Sequence, residues 1–147
     1  MRQGAAALVA LGFFATACGN GGGPRLSKPE FQRTANSICT RYEQRVGAAG
    51  SPRNLASLAQ IADRAYAAGR RERSALAQVR PPGSLDDRYR ELLDRMARVD
   101  ALLPKLRAAA TKGQKQRVAA LARKGGDLVR GVNADAGALG LVDCRRG

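Results

Sequence analysis

The sequence predicts an all-α protein, an up-down four-helix bundle with one disulfide. Apolar residues recur at alternating spacings of three and four along four separate segments, which is the period of one face of an α-helix. Proline and glycine separate these segments by only a few residues, and short connections favour antiparallel neighbouring helices. No segment shows the alternation typical of a strand, and no internal repeat is found.

The first helix is predicted from about Lys28 to Val46. It begins at a capping box, Ser27-Lys28-Pro29-Glu30, whose proline lies where its missing N–H costs little. A loop from Gly47 to Pro52 follows it. The apolar face of this helix is formed by Phe31, Ala35, Ile38, Tyr42 and Val46.

The second helix is predicted from Pro52 or Leu55 to Val79, because Pro81-Pro82-Gly83 must end it. Glu72 is the one charge on its apolar face. It is either a ligand or buried acid, or a carboxylate paired with a nearby arginine at the edge of that face. Pairing is favoured, since an isolated buried charge is very costly. We find no second carboxylate at a clear position on an apolar face. The face comprises Leu55, Leu58, Ala62, Ala65, Gly69, Glu72, Leu76 and Val79.

The third helix is predicted from Ser84 to about Lys112-Gly113. Pro104 lies inside it and is expected to kink it, because proline removes one helical hydrogen bond. Tyr89 and Met96 are interpreted as core residues in preference to a cofactor pocket, since an apolar stripe at helical spacing is ordinarily core. The stripe is Tyr89, Leu92, Met96, Val99, Leu103 and Leu106.

The fourth helix is predicted from about Gln114 to Leu139. Gly125-Gly126 weakens it by about 2 kcal/mol relative to alanine, so that a break is allowed there. Gly140 is expected to end it, with Leu141 as the apolar residue that follows. Val142 to Gly147 is a short basic tail. The apolar face is formed by Val118, Leu121, Gly125, Leu128, Val132, Ala136 and Leu139.

Three cysteines are present, and two of them, Cys39 and Cys144, lie in the helical part. In an exported domain such a pair favours one disulfide, while a free pair or an intermolecular bond are the alternatives. The bridge requires the tail to reverse at Gly140 and run back along the first helix. Asn36, one turn before Cys39, is expected to hydrogen-bond the backbone of the returning tail.

The chain contains no histidine. A haem site of the C-x-x-C-H type, a di-iron bundle, a Ser-His-Asp triad and a His-ligated zinc site are therefore excluded within this chain. No nucleophile–base pair is visible either. We predict no catalytic site, metal or cofactor, and the enzyme hypothesis is disfavoured.

The formal net charge is +14, from 26 basic and 12 acidic residues. Such a balance favours anionic partners such as lipid headgroups or envelope polymers. Nucleic acid is disfavoured because no aromatic residues alternate with the basic ones. Arg70, Arg71 and Arg73 form a candidate anion contact. The alternative is a solvated surface, because 21 of the basic residues are arginine and GC-rich coding produces that bias.

The N-terminus has a basic start at Arg2, an apolar run from Ala5 to Phe14, and then Ala15-Thr16-Ala17-Cys18. It resembles a bacterial lipoprotein signal peptide, and its apolar run of about ten residues is too short to span a bilayer. The resemblance implies that residues 1–17 are removed and that Cys18 is lipidated at the outer face of the cell membrane. Residues 18–26 then form a flexible tether and residues 27–147 the bundle. A plain secretory signal with an incidental cysteine is the alternative.

Four short motifs span most of the predicted mature chain: Leu26-Ser27-Lys28-x-Glu30-Phe31, Ala35-Asn36-x-Ile38-Cys39, Pro81-Pro82, and Gly140-Leu141-x-x-Cys144. Together they resemble small secreted or lipid-anchored helical proteins common in actinobacteria. The resemblance implies the fold, the disulfide and the location, and no catalytic residue.

The favoured hypothesis for function is a non-enzymatic binding or structural module at the membrane. It would contact anionic envelope polymers or a partner protein. The alternative is a carrier of a small apolar ligand, with a pocket between helices opened at Pro104 and Gly125-Gly126.

Overall fold

The computed structural model of the protein describes residues 24–48 and 50–146. Within them the chain forms four helices: α1 (Lys28–Gly47), α2 (Leu55–Leu76), α3 (Asp86–Thr111) and α4 (Lys115–Leu139). Two short 3-10 turns, Gly83–Leu85 and Val142–Cys144, complete this part of the chain, which contains no strand. The predicted all-α bundle of four helices is confirmed. The signal segment 1–17, Cys18 and the tether up to residue 23 lie outside the described residues.

The apolar core lies at the end of the bundle where α1 and α3 begin and α2 and α4 end. α3 packs against both α2 and α4, while α1 packs against α2 and the Val142–Cys144 turn. Phe31 and Tyr89 meet edge to face, with ring centroids 5.0 Å apart. The interpretation of Tyr89 and Met96 as core residues is confirmed. Other members of this core are Ala35, Ile38, Leu76, Leu92, Val132, Ala136, Leu139 and Leu141.

Capping residues account for the observed starts of the first two helices. At α1, the Ser27 amide donates to the Glu30 carboxylate at 3.0 Å, which completes the predicted capping box. At α2, the Ser57 amide donates to Asn54 Oδ1 at 2.8 Å, so the helix begins at Leu55 and not at Pro52.

The second helix ends three residues before the predicted end at Val79. Arg80 precedes Pro81, and the proline ring disfavours helical geometry at that residue. The Val79 amide turns back to the Leu76 carbonyl at 2.9 Å, and the Tyr89 hydroxyl donates to the same carbonyl at 2.7 Å. The terminal carbonyl of α2 therefore has partners without a further helical turn.

Neither α3 nor α4 is interrupted at its helix-weakening residues. α3 continues through Pro104, and α4 continues through Gly125-Gly126, where a break was allowed. A side chain at Gly125 would meet Leu102 of α3 at 3.9 Å, an ordinary packing distance. Packing of α4 on α3 therefore supports the helix where its own propensity is poor. Gly140 has a φ of 73°, a left-handed conformation that ends α4 as predicted.

The chain enters the bundle at the core end. Leu26 donates its amide to the Arg80 carbonyl at 3.0 Å, and Arg25 forms an ion pair with Asp86 at 2.5 Å. These two residues, assigned to the tether from sequence, contact the bundle. Among the described helices, none combines the length and the apolar character needed to cross a membrane.

Candidate functional site

Residues 141–146, here called the C-terminal clasp, fold back onto three helices after α4 ends. The left-handed Gly140 reverses the chain, and Leu141 is then fully buried in the core. Gln32 of α1 donates to the Leu139 carbonyl at 3.0 Å, which ties the end of α4 to the start of α1. The clasp is therefore part of the packed structure and not a free basic tail.

A disulfide joins the clasp to α1. Cys39 and Cys144 are bonded across a sequence separation of 105 residues, and each is only 1% exposed. The Asp143 amide donates to Asn36 Oδ1 at 3.1 Å. Both the predicted pairing and the predicted role of Asn36 are confirmed. The two contacts lie one helical turn apart and fix the direction of the clasp along α1.

Arg146 occupies the point where α1, α2 and α4 converge on the clasp. Its backbone amide donates to Asn133 Oδ1 at 2.6 Å, and Asn133 Nδ2 donates to its carbonyl at 2.8 Å. Its guanidinium donates to Glu72 Oε2 at 2.5 Å and to Glu43 Oε1 at 3.4 Å. The same guanidinium stacks on Tyr42, 3.7 Å from the ring centroid. One residue therefore connects three helices: its side chain contacts α1 and α2, and its backbone contacts α4.

Glu72 is the buried acid at this convergence. It is 2% exposed, and burial raises the pKa of its carboxyl from 4.5 to about 7, while Arg146 acts in the opposite direction. Its second oxygen, Oε1, has no hydrogen-bond partner among the described residues. Pairing of Glu72 with an arginine is confirmed. The predicted position at the edge of the face was wrong: the pair is buried, and its arginine lies 74 residues away in sequence.

Two further buried carboxylates correct the expectation that no second acid lies on an apolar face. Asp100 of α3 is 6% exposed and forms an ion pair with Arg73 of α2 at 3.1 Å. Asp135 of α4 is 9% exposed and pairs with Arg95 of α3 at 2.7 Å. Burial raises the pKa of Asp100, and Arg73 opposes that rise. Each buried acid thus joins two elements through an arginine.

Gly69 makes room for the Asp100 carboxylate. A Cβ placed at Gly69 would overlap Asp100 Oδ1. This glycine lies inside α2, where it is unfavourable by about 1 kcal/mol relative to alanine. Its presence on the apolar face is explained by the close approach of a buried charge from α3.

The buried acids are paired with arginines of the bundle. The three buried acids each hold an arginine, which is the arrangement expected of structural ion pairs. In the part of the chain that the structure describes, no group of three or more His, Cys, Asp or Glu residues could hold a metal ion. The chemistry available here is charge pairing and a disulfide.

The candidate anion contact does not form one cluster. Arg70 lies over the Tyr66 ring at 5.8 Å, and Arg71 is exposed. These residues line a shallow surface groove of about 550 Å³ together with Ser74. Arg73 points elsewhere, since its Nε bonds to Asp100. The structure brings together two of the three arginines.

A surface groove of about 320 Å³ lies beside Pro104, where the sequence suggested an apolar pocket. Lys105, Lys112 and Arg117 line it, together with Ala108 and Ala109. Three cationic side chains border this groove, whereas the carrier hypothesis requires a pocket lined by apolar residues.

Comparison with known proteins does not assign this chain to a group: no family model matches it, and no curated protein or solved structure is significantly similar to it. The resemblance to actinobacterial secreted proteins stays a prediction.

Proposed function

We propose that this protein is a lipid-anchored, non-enzymatic module on the outer face of the cell membrane that contacts anionic envelope polymers. The observation that carries the proposal is the buried Cys39–Cys144 disulfide. Disulfides persist in oxidising compartments and are rare in the cytosol, so the bridge supports an exported protein. The lipoprotein-like sequence before Cys18 supports the anchor.

The distribution of charge supports the binding role. The buried acids are paired inside the bundle, whereas most cations lie on the surface. The formal charge is +14 for the whole sequence and +13 once Arg2 is removed with the signal segment, and it creates a positive field that attracts polyanions without a shaped pocket. This arrangement suits a contact of low specificity better than recognition of one small apolar molecule.

The anchor is tested by replacing its cysteine. Wild-type protein is expected in the membrane fraction, and Cys18→Ala is expected to lose that association and to keep its signal segment. A single acyl chain binds membranes only marginally, so the multiple chains of a bacterial lipoprotein are needed for stable attachment. Cell fractionation and intact-mass measurement provide the readout. Wild-type protein found wholly in the culture medium would contradict the anchor.

Binding is tested through its salt dependence. Affinity of the purified protein for long-chain polyphosphate is expected to fall steeply between low and physiological salt, because charges are screened over about 8 Å at physiological ionic strength. Replacing Arg70, Arg71 and Arg73 together by glutamine is expected to weaken binding only partly, since one of them is held by Asp100. If no salt-sensitive binding to polyphosphate is found, the positive net charge reflects the arginine-rich composition and does not serve to bind polyanions.

A further inference from the structure

We infer that the turn between α3 and α4 is the polyanion-binding site of this protein, and that its ligand is a linear phosphate polymer. This inference rests on the proposed function and deepens it. The site, here called the basic tip, comprises the exposed cations of the end of α3 and the start of α4. They are Lys105, Lys112, Lys115, Arg117, Arg123 and Lys124.

Charge segregation marks this region. Between Asp100 and Asp127 the sequence contains seven basic residues and no acidic one. Arg107, the seventh, is paired with Asp63 at 3.2 Å. The six residues of the basic tip make no ion pair with any described residue. Elsewhere on α3, Arg90 pairs with Asp87 and Arg95 with Glu91, while Arg88 and Arg98 make no ion pair with a described residue. Unpaired cations also occur elsewhere on the surface, but no other stretch between two consecutive acidic residues contains as many basic residues.

Lysine is concentrated in this region, whereas the rest of the chain carries mostly arginine. The chain has five lysines, and four of them lie between residues 101 and 126. A coding bias that favours arginine accounts for the arginines of the surface but not for this group of lysines. A lysine ammonium is a compact point charge that contacts phosphate from many directions. Such groups suit a polymer that presents repeated phosphates without one fixed orientation.

Backbone hydrogen bonds define the turn from which the basic tip projects. Gly113 has a φ of 66°, the left-handed geometry that lets the chain turn between the helices. The Gln114 amide donates to the Ala109 carbonyl at 3.0 Å, and the Lys115 amide donates to the Gly113 carbonyl at 2.9 Å. The cations are therefore presented from a hydrogen-bonded turn, which lowers the entropy lost on binding.

A groove connects the two helices at this point. It has a volume of about 320 Å³, with Lys105, Lys112 and Arg117 around small residues such as Ala108. A second surface hollow, lined by Lys115 and Arg117, continues past the turn. Arg117 borders both. An extended chain can follow this path and place successive phosphates beside successive cations.

Two observations favour a polymer over the membrane surface. The turn residues Lys112 to Gln116 are polar or glycine, so the tip offers no apolar side chain for insertion among lipids. The basic tip also lies at the opposite end of α3 from Asp86, which pairs with Arg25 where the chain enters the bundle. α3 is 26 residues long, so about 39 Å separate the two ends. A protein anchored through its N-terminus would direct the tip away from the membrane.

The test compares two charge-matched variants of the full-length protein. The tip variant carries Lys112→Gln, Lys115→Gln and Arg117→Gln. The control variant carries Lys28→Gln, Arg33→Gln and Arg88→Gln, three exposed cations at the core end. Affinity for long-chain inorganic polyphosphate and for vesicles of equal parts phosphatidylglycerol and phosphatidylcholine is measured at low and physiological salt. Circular dichroism verifies that both variants are folded.

At low salt the tip variant is expected to bind polyphosphate about tenfold or more weakly than wild type, while the control loses at most about threefold. Equal losses in the two variants would overturn the tip as the site and leave the proposed function standing. Wild-type binding to the vesicles but not to polyphosphate would overturn the polymer as the ligand. No binding of wild type to either probe would refute the proposed function itself.

Discussion

Replacing Cys39 and Cys144 together by alanine is expected to lower the free energy of unfolding by about 4.7 kcal/mol. The bridge closes a loop of 105 residues, and the chain-entropy model gives this value for a loop of about that length. Domains are typically stable by only about 5–15 kcal/mol, so the loss is a large part of the total. The helices themselves are expected to persist at low temperature, because the apolar core remains.

Thermal unfolding followed by circular dichroism checks this prediction. The melting temperature is expected to fall by roughly 15–25 °C. Thr34→Ala, at an exposed residue of α1, is the control and is expected to melt as wild type does. Oxidised and reduced proteins that melt within about 2 °C of each other would contradict the prediction.

Truncating Arg146 to alanine is expected to cost about 3–5 kcal/mol at pH 7.5. Removing one partner of a buried ion pair leaves the other charge without compensation. Here the remaining charge is Glu72, which is 2% exposed. The change also removes the stacking on Tyr42. Arg145→Ala is the matched control, since Arg145 is the exposed neighbour of Arg146, and it is expected to cost less than about 0.5 kcal/mol.

The pH dependence distinguishes a lost ion pair from lost packing. The pKa of Glu72 is raised to about 7 in the folded protein, so the folded state binds this proton more tightly than the unfolded state does. Its contribution to stability is full below about pH 4.5 and is lost as pH rises through 7, by up to about 3 kcal/mol. Asp100, whose pKa is also raised, acts in the same direction. The chain has no histidine to mask this trend.

Denaturant unfolding at pH 5.5 and 7.5 therefore provides the readout. The free energy of unfolding of wild type is expected to be larger at pH 5.5 than at pH 7.5. Glu72→Gln is expected to remove most of that difference. Arg146→Ala is expected to be less damaging at pH 5.5, where a protonated Glu72 needs no cation. Asp127→Asn, which replaces an exposed acid, is the control and is expected to show the same difference in stability between the two pH values as wild type. An equal cost of Arg146→Ala at both pH values would show that the residue acts through packing alone.

Local signals were sufficient to predict the helices, because their ends depend on neighbouring residues. The Ser27–Glu30 capping box and Gly140 each act within one turn of the chain and begin or end a helix where expected, whereas α2 ends three residues before the end predicted from Pro81. The disulfide was predictable because the domain has only two cysteines. Asn36 could be assigned to the returning clasp because that disulfide fixes where the clasp lies.

Asp100 and Asp135 were missed because the buried face of a helix includes residues on either side of the regular three-and-four apolar pattern. On a helix of 3.6 residues per turn, Asp100 lies beside the partly buried Val99 and Asp135 beside the buried Ala136, and both acids reach the interior. Gly69 on the face of α2 was a usable signal, since a glycine there suggests a close neighbour. Arg146 had no local signal. Its burial depends on helices from three distant parts of the chain.

The disulfide also determines what a single proteolytic cut can do. The loop between α1 and α2 joins helices inside the segment that Cys39 and Cys144 enclose, and its described residues Gly50 to Asn54 are exposed. A protease that cuts there produces two fragments that remain one covalent molecule. Both cysteines are buried, so external thiols reach the bond only when the clasp opens. A nicked protein would therefore keep its C-terminal fragment attached to α1, and separation of the fragments would require reduction as well as cleavage.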